Sequence, residues 1–262
     1  MKKLLKIYQR IFKISFMVHL TDRENFFAWC AVRIIGSITT IVFINSVFTR
    51  VQSINGWSQD QSLLVMGVGL LIAGLGSLTF FPFMYEFGKK ILKGEFDATL
   101  TKPINTLFIS AFCWVDLEEV ISIPISIFLI VYAVNRIGPS NILFNIILFL
   151  MLIIASLLIL FSVLTLIQSL AFKHIQINSA IDFFWSTMDT ARYPTKAMRN
   201  ISTLVWIMVF PIALISSVPA EVLFGRYDWP WIIASLVFSI TLFWFSKKIF
   251  YSSLRHYSSA SS

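Results

Sequence analysis

Apolar and polar residues alternate along this chain in blocks of about twenty. The residues from about Phe26 to Phe48, Ser62 to Phe83, Ser110 to Val134, Asn141 to Phe172, Ile201 to Val218 and Trp229 to Phe245 are predominantly apolar. Each block, coiled as a helix, is long enough to cross roughly 30 Å of hydrocarbon. The pattern predicts six spanning helices. Residues 1–20 follow another rule: Leu4, Ile7, Tyr8, Ile11, Ile14 and Val18 recur at helical spacing, and Lys2, Lys3, Lys6, Arg10 and Lys13 take the other face. That predicts a helix lying in the headgroup plane.

Between the second and third spans, Tyr85 to Phe108 mixes Lys89, Lys90, Lys93, Lys102, Glu86, Glu95 and Asp97 with Phe87, Ile91, Leu92, Phe96 and Leu100, until Pro103 stops the pattern. An amphipathic island between two apolar spans reads as a docking element. The third span needs residues from about Ser110 and so draws Asp116, Glu118 and Glu119 into its first turns, with Pro124 expected to kink it. Gly67, Gly69, Ala73, Gly74 and Gly76 in the second span suit close approach of a neighbouring helix. Pro219 to Asp228 reads as a re-entrant or surface turn.

Composition agrees with a lipid-solvated chain, since 57% of the residues are apolar and 13% charged, against about 25% charged in soluble domains. The formal charge of +8 is assigned to anionic headgroups. Nucleic acid is not an expected partner, because no basic stripe with interleaved aromatics stands outside the spans. Of the 21 lysines and arginines, Arg50, Arg136 and Arg226 fall on one side, Arg33 lies within the first span, and all the rest fall on the other side. The positive-inside rule then places both termini and the amphipathic island in the cytoplasm.

Enzyme chemistry finds no support in the motifs. His19, His174 and His256 are far apart, no HExxH or GxSxG run occurs, and Gly88-Lys89 is followed by Lys90 where a phosphate-binding loop needs Ser or Thr. Cys30 and Cys113 have neither a disulfide-framework nor a zinc-ligand spacing. No metal site is expected.

The run Lys93-Gly94-Glu95-Phe96-Asp97, continuing through Leu100, Lys102, Pro103 and Asn105, resembles the Gly-Glu/Ser-Leu-Asp...Leu-Arg-Pro signature of ABC-2 type permeases, in a branch of paired bacterial exporters. Asp116-Leu117-Glu118-Glu119 resembles the Asp-Leu-Asp-Glu-Leu run that follows it. Arg192-Tyr193-Pro194, Phe210-Pro211 and Pro219-Ala220 resemble its later proline series, and Leu254 to Ala260 resembles its closing Leu-Arg-Arg-Tyr-Ser-Ser-Ala-Gly. Lys102 replaces the usual arginine, and Ser261 stands where glycine often closes the tail.

The resemblance implies an all-α integral membrane fold with six transmembrane helices, an N-terminal interfacial helix, a cytoplasmic coupling helix and a short extracytoplasmic re-entrant turn before the last helix. One domain is expected: interfacial helix 1–25, first two spans 26–83, coupling segment 84–108, spans three and four 109–172, a cytoplasmic connection 173–200, spans five and six 201–247, and a tail 248–262. The implied partners are an ABC ATPase subunit, a second permease subunit forming a heterodimer or homodimer, and membrane lipids. ATP and magnesium belong to the partner, with no cofactor in this chain. The location implied is the bacterial inner membrane.

Coupling falls by resemblance on Ile91, Leu92, Gly94, Glu95, Phe96, Asp97, Leu100, Lys102 and Pro103, with Ile91, Leu92 and Phe96 expected to fill a groove in the ATPase. The alternative for this island is a helix resting on lipid. Arg33 is expected at the depth of Asp116 and Glu119, which would share a helix face, while Glu118 points elsewhere. The alternative is that Arg33 snorkels to headgroups. Pro211, Pro219, Glu221 and Arg226 form a candidate outer gate by analogy with the family's re-entrant turns, or merely cap the fifth and sixth helices. The resemblance favours export of a hydrophobic or amphiphilic substrate, drug-like or lipid-like. Export of a lipid-linked glycan or peptide uses the same scaffold, and a non-transporting membrane anchor or assembly factor is a further reading.

Overall fold

The computed structural model describes residues 2–54, 56–172, 178–190 and 213–257. Helix α1 (Lys2–Thr21) runs into α2 (Arg23–Phe48) through Asp22, whose N–H bonds Val18 at 3.1 Å and whose carbonyl takes Phe26 at 3.1 Å, so the backbone ladder barely breaks. α1 keeps Leu5, Phe12, Ile14 and Phe16 exposed, and polar contacts fasten it to the bundle. The Tyr8 hydroxyl donates to the Leu78 carbonyl, and the buried Ser15 hydroxyl accepts from Val115 N–H at 3.1 Å.

α3 (Gln59–Thr79) begins earlier than the apolar run because Ser58 and Gln61 close a capping box, Gln61 N–H to Ser58 at 3.3 Å and Ser58 N–H to Gln61 at 3.0 Å. Its glycines are needed for packing. A Cβ on Gly67 would sit 3.1 Å from Leu129 Cβ, and one on Gly74 would sit 2.8 Å from Ile123 Cγ1. Both contacts face α7 (Ser122–Ile137), which lies against α3.

After a turn at Phe80 to Pro82 come α4 (Phe83–Leu92), α5 (Asp97–Leu100) and α6 (Thr106–Ala111), the last capped by Asn105, which accepts Phe108 N–H at 2.9 Å. The third span does not start at Ser110. Between α6 and a 3-10 turn at Glu118–Ile121, backbone groups find tertiary partners in place of a helix: Val115 bonds Ser15, and Asp116 N–H bonds the Ser77 carbonyl at 3.3 Å. Pro124 falls at the third position of α7, just after the 3-10 turn, where its missing N–H is tolerated more readily than in a helix interior. α7 ends at Gly138, whose φ of +63° suits glycine.

α8 (Ile142–Leu170) and α11 (Trp229–Leu254) lie side by side, with α9 (Asn178–Thr190) between them in sequence. A π-type turn at Ala213–Ser217 leads into α10 (Val218–Leu223). The segment Pro219 to Leu223, expected as part of a turn, is therefore helical and buried, because Pro219 stands at the start of α10 where its missing N–H is tolerated. Only the residues after Leu223 turn, with Gly225 at φ +84°.

Among the described residues five helical stretches are long and apolar enough to span: Arg23–Phe48, Gln59–Leu92, Glu118–Ile137, Ile142–Leu170 and Trp229–Leu254. Residues 201–212 of the expected fifth span, Pro211 included, lie outside the described residues, and Ala213–Leu223 is a shorter apolar helix.

α8 is the spine of the bundle. Its buried polar side chains donate to carbonyls of the irregular elements around it: Gln168 to Met84 at 2.9 Å, Ser156 to Ile215 at 2.8 Å and Asn145 to Leu223 at 3.4 Å. Ile215 lies four residues before Pro219, which has no N–H to offer its carbonyl. The Ser156 hydroxyl, also 2.8 Å from Leu152 O, stands ready to replace that donor.

Candidate functional site

The amphipathic island is two short helices and a glycine turn, not one helix. Phe83, Met84, Phe87 and Ile91 recur at helical spacing along α4 and are all buried. Gly94, at φ +70°, reverses the chain, and Phe96 N–H closes onto the Lys90 carbonyl at 3.1 Å. Phe96 is thereby folded back against α4. Its ring stands 5.2 Å from Phe87, 5.6 Å from Phe172 and 5.2 Å from Tyr257, while Phe87 also meets Phe250 at 5.8 Å.

This geometry corrects one expectation. Ile91 and Phe96 are buried in the chain's own core and do not face outward. The surface of the island presents Leu92, Lys93, Glu95, Leu100, Lys102 and Pro103, with Gly94 and Asp97 partly covered. Asp97 starts α5 beside Tyr257. Burial first, and the Asp97 carboxylate second, raise the pKa of that tyrosine hydroxyl.

Arg33 lies ten residues into α2, about 15 Å along its axis. Its Nη2 pairs with Glu119 Oε1 at 2.5 Å, and Ser122 donates to the other carboxylate oxygen at 3.2 Å. Glu118, the preceding residue, turns to α1, with its Oε2 3.6 Å from His19 Nε2. Of the two acids proposed for Arg33, the structure pairs it with Glu119. Asp116 precedes the 3-10 turn, so the two acids do not sit on a common helix face. Burial foremost, then Glu118 and Glu119, push the Asp116 carboxyl up to about 7, and Arg33 opposes the shift.

The Arg33–Glu119 pair lines a cavity of about 390 Å³ enclosed by α2, α3, α4, the start of α7 and α9. The Tyr85 and Trp185 rings stack across one wall, 6.4 Å apart and inclined by 14°.

At the opposite end Glu221 is buried in α10, and Arg226 lies over Trp57 at 5.7 Å and Phe224 at 5.3 Å from the ring centroids. The Tyr227 hydroxyl donates to the side-chain amide oxygen of Asn145, Oδ1. Glu221 and Arg226 thus fall in one clasp with Trp57, Arg226 N–H bonding the Glu221 carbonyl at 3.0 Å, and with Asn145 and Tyr227, which the sequence reading passed over; Pro219 lies two residues before Glu221 in α10. The signal for Asn145 was a lone amide near the start of an apolar span. Cys30 and Cys113 are free, and among the described residues no group of His, Cys, Asp or Glu is placed to hold a metal.

Helices long and apolar enough to span, an amphipathic elbow on the surface and a polar cavity between the helices fit a membrane transport component. Residues 34–261 match the protein family described as "ABC-2 family transporter protein", and the chain belongs to that family as an ABC-2 type permease. No curated protein and no solved structure matches it.

Proposed function

We propose that this permease is the membrane subunit of an ATP-driven exporter in the bacterial inner membrane, with six spans and both termini cytoplasmic. It forms half of the translocation pathway beside a second permease subunit, and the α4–α5 elbow receives force from a separate ATPase. The observation that carries this reading is the division of labour in the elbow. Phe87, Ile91 and Phe96 root it in the ends of α8 and α11, while Leu92, Glu95, Leu100 and Lys102 remain on the surface. A rooted element transmits a push, whereas an element that merely rests on lipid has no need of an aromatic root. Leu92 and Leu100 serve as apolar anchors and Lys93, Glu95 and Lys102 as a charged rim that sets register. The cargo is amphiphilic, and Pro211, Pro219, Glu221 and Arg226 belong to the outer gate.

Photo-crosslinkable residues at positions 92 and 100 test the reading. Adducts with a nucleotide-binding subunit are expected, and Leu92→Asp with Leu100→Asp should abolish co-purification of that subunit. Crosslinks to lipid alone, with co-purification unchanged, refute it.

A further inference from the structure

We propose that the cavity beside Arg33 is a binding site for the uncharged, carbonyl-bearing head of an amphiphile, an amide or ester. The inference deepens the transport reading above and rests on it. Glu119 engages only one arm of the guanidinium, through Nη2, and spends its second oxygen on Ser122. The Nε–H of Arg33 is buried and has no partner. The indole N–H of Trp185, on the facing wall, interacts with the Tyr85 hydroxyl but outside normal hydrogen-bond geometry. One donor without a partner and a second that is poorly met, facing one cavity, call for a ligand that brings oxygen acceptors, since an unpaired buried donor is costly. Arginine's planar fork suits a second acceptor beside the one it already holds.

Charge selects among the acceptors. Arg33 is neutralised by Glu119, and the neighbouring Asp116 carboxyl is pushed up to about 7 by burial foremost, with Glu118 and Glu119 adding to the shift and Arg33 opposing it, so the surroundings disfavour a further anion both by desolvation and by like charge. A carboxylate or phosphate monoester would enter a negative field, whereas a neutral carbonyl would not. The stacked rings of Tyr85 and Trp185 offer a flat apolar wall for the adjoining part of the head. Access lies along α2. A Cβ on Gly36, which lines the cavity, meets nothing within 4 Å, and α2 has few buried residues, so a chain can leave past it into lipid.

The test uses the purified full-length permease without ATPase, in nanodiscs. The probe is an N-acyl dipeptide methyl ester with a brominated chain, and its free-carboxylate analogue is the control. The fluorescence difference between the wild type and Trp185→Phe isolates the Trp185 signal. Saturable quenching by the ester is expected, with about tenfold weaker binding of the carboxylate, equivalent to about 1.4 kcal/mol. Arg33→Lys, which keeps the charge and loses the fork, and Gly36→Leu, which fills the cavity and spares the ion pair, should each weaken the ester by a similar factor. Absence of saturable quenching, equal binding of the carboxylate, or unchanged binding in a folded Gly36→Leu protein would mean that the cavity holds water only. Co-purification of the ATPase, measured on the same variants, separates the two readings. Its persistence with probe binding lost overturns this inference alone, and its absence in the wild type overturns the coupling assignment.

Discussion

Phe96→Ala asks whether the elbow is held from inside. The Phe96 ring is wholly buried and touches Phe87, Phe172 and Tyr257 with centroids 5.2, 5.6 and 5.2 Å away. Truncating a core phenylalanine costs about 3–5 kcal/mol, and each edge-to-face pair adds roughly 0.5–1.5 kcal/mol beyond area burial. A loss of about 4 kcal/mol is expected, on the order of 10 °C in melting temperature for a chain of this size. Leu92, on the other side of the Gly94 turn in the same elbow, is 52% exposed, and its truncation should cost no more than about 0.5 kcal/mol. Phe96→Leu retains most of the volume and should cost less than about 1.5 kcal/mol. The assay is thermal unfolding of each variant in one detergent, followed by ATPase capture and transport. Phe96→Ala should melt early and retain some capture while transport fails. Leu92→Ala should melt normally and lose capture. If Phe96→Ala melts within about 1 °C of wild type, or Leu92→Ala costs as much, the aromatic root is not what holds the elbow.

Three further outcomes follow from other contacts. Ser156→Ala removes the hydroxyl 2.8 Å from the Ile215 carbonyl, which Pro219 cannot serve, and should cost about 1–3 kcal/mol in a denaturation series; a neutral result would show that the π-type turn satisfies that carbonyl itself. Gly94→Ala forces a side chain into φ +70° at a cost of roughly 1–2 kcal/mol, and should lower coupling while membrane insertion is retained; full transport by this variant would show that the turn tolerates a Cβ. Asp116 ordinarily titrates near 3.8 but holds its proton to about 7 in the fold, so the native state binds the extra proton between those values and wild-type stability falls as pH rises through them. Asp116→Asn should flatten that slope and stabilise the protein most above pH 7, read from melting temperatures at several pH values; parallel slopes in the two proteins would remove the assignment.

The hydrophobic blocks were legible because a lipid-facing helix must be apolar nearly throughout, and the helices α2, α8 and α11 begin within three residues of the blocks that predicted them. The Arg33–Glu119 contact was legible for a related reason, since a charge placed inside an apolar run requires a partner at its own depth. What the periodicity could not convey was the direction of Phe96. Read as one continuous helix, residues 87–100 place Ile91, Leu92 and Phe96 together as knobs. One left-handed residue, Gly94, breaks that register and turns Phe96 inward. The start of the third span failed similarly, because Val115 and Asp116 give their backbone N–H groups to Ser15 and Ser77 on distant elements, a tertiary choice that no local pattern encodes.

The polar residues of α8 show why such breaks can exist in a membrane at all. Hydrocarbon offers no partner for a carbonyl freed by a proline or a turn, so irregular backbone survives there only where protein supplies the donor. α8 supplies one at three levels: Gln168 beneath α4, Ser156 at the π-type turn and Asn145 at the end of α10. The root of the elbow and the clasp around Asn145 are thus hydrogen-bonded to the same helix, one near each of its ends. A displacement of α4 that moves α8 as a rigid body must therefore carry the carbonyl of Leu223 with it or break the Asn145 bond. Force delivered at one surface has a mechanical route to the other that needs no rearrangement of the apolar core between them.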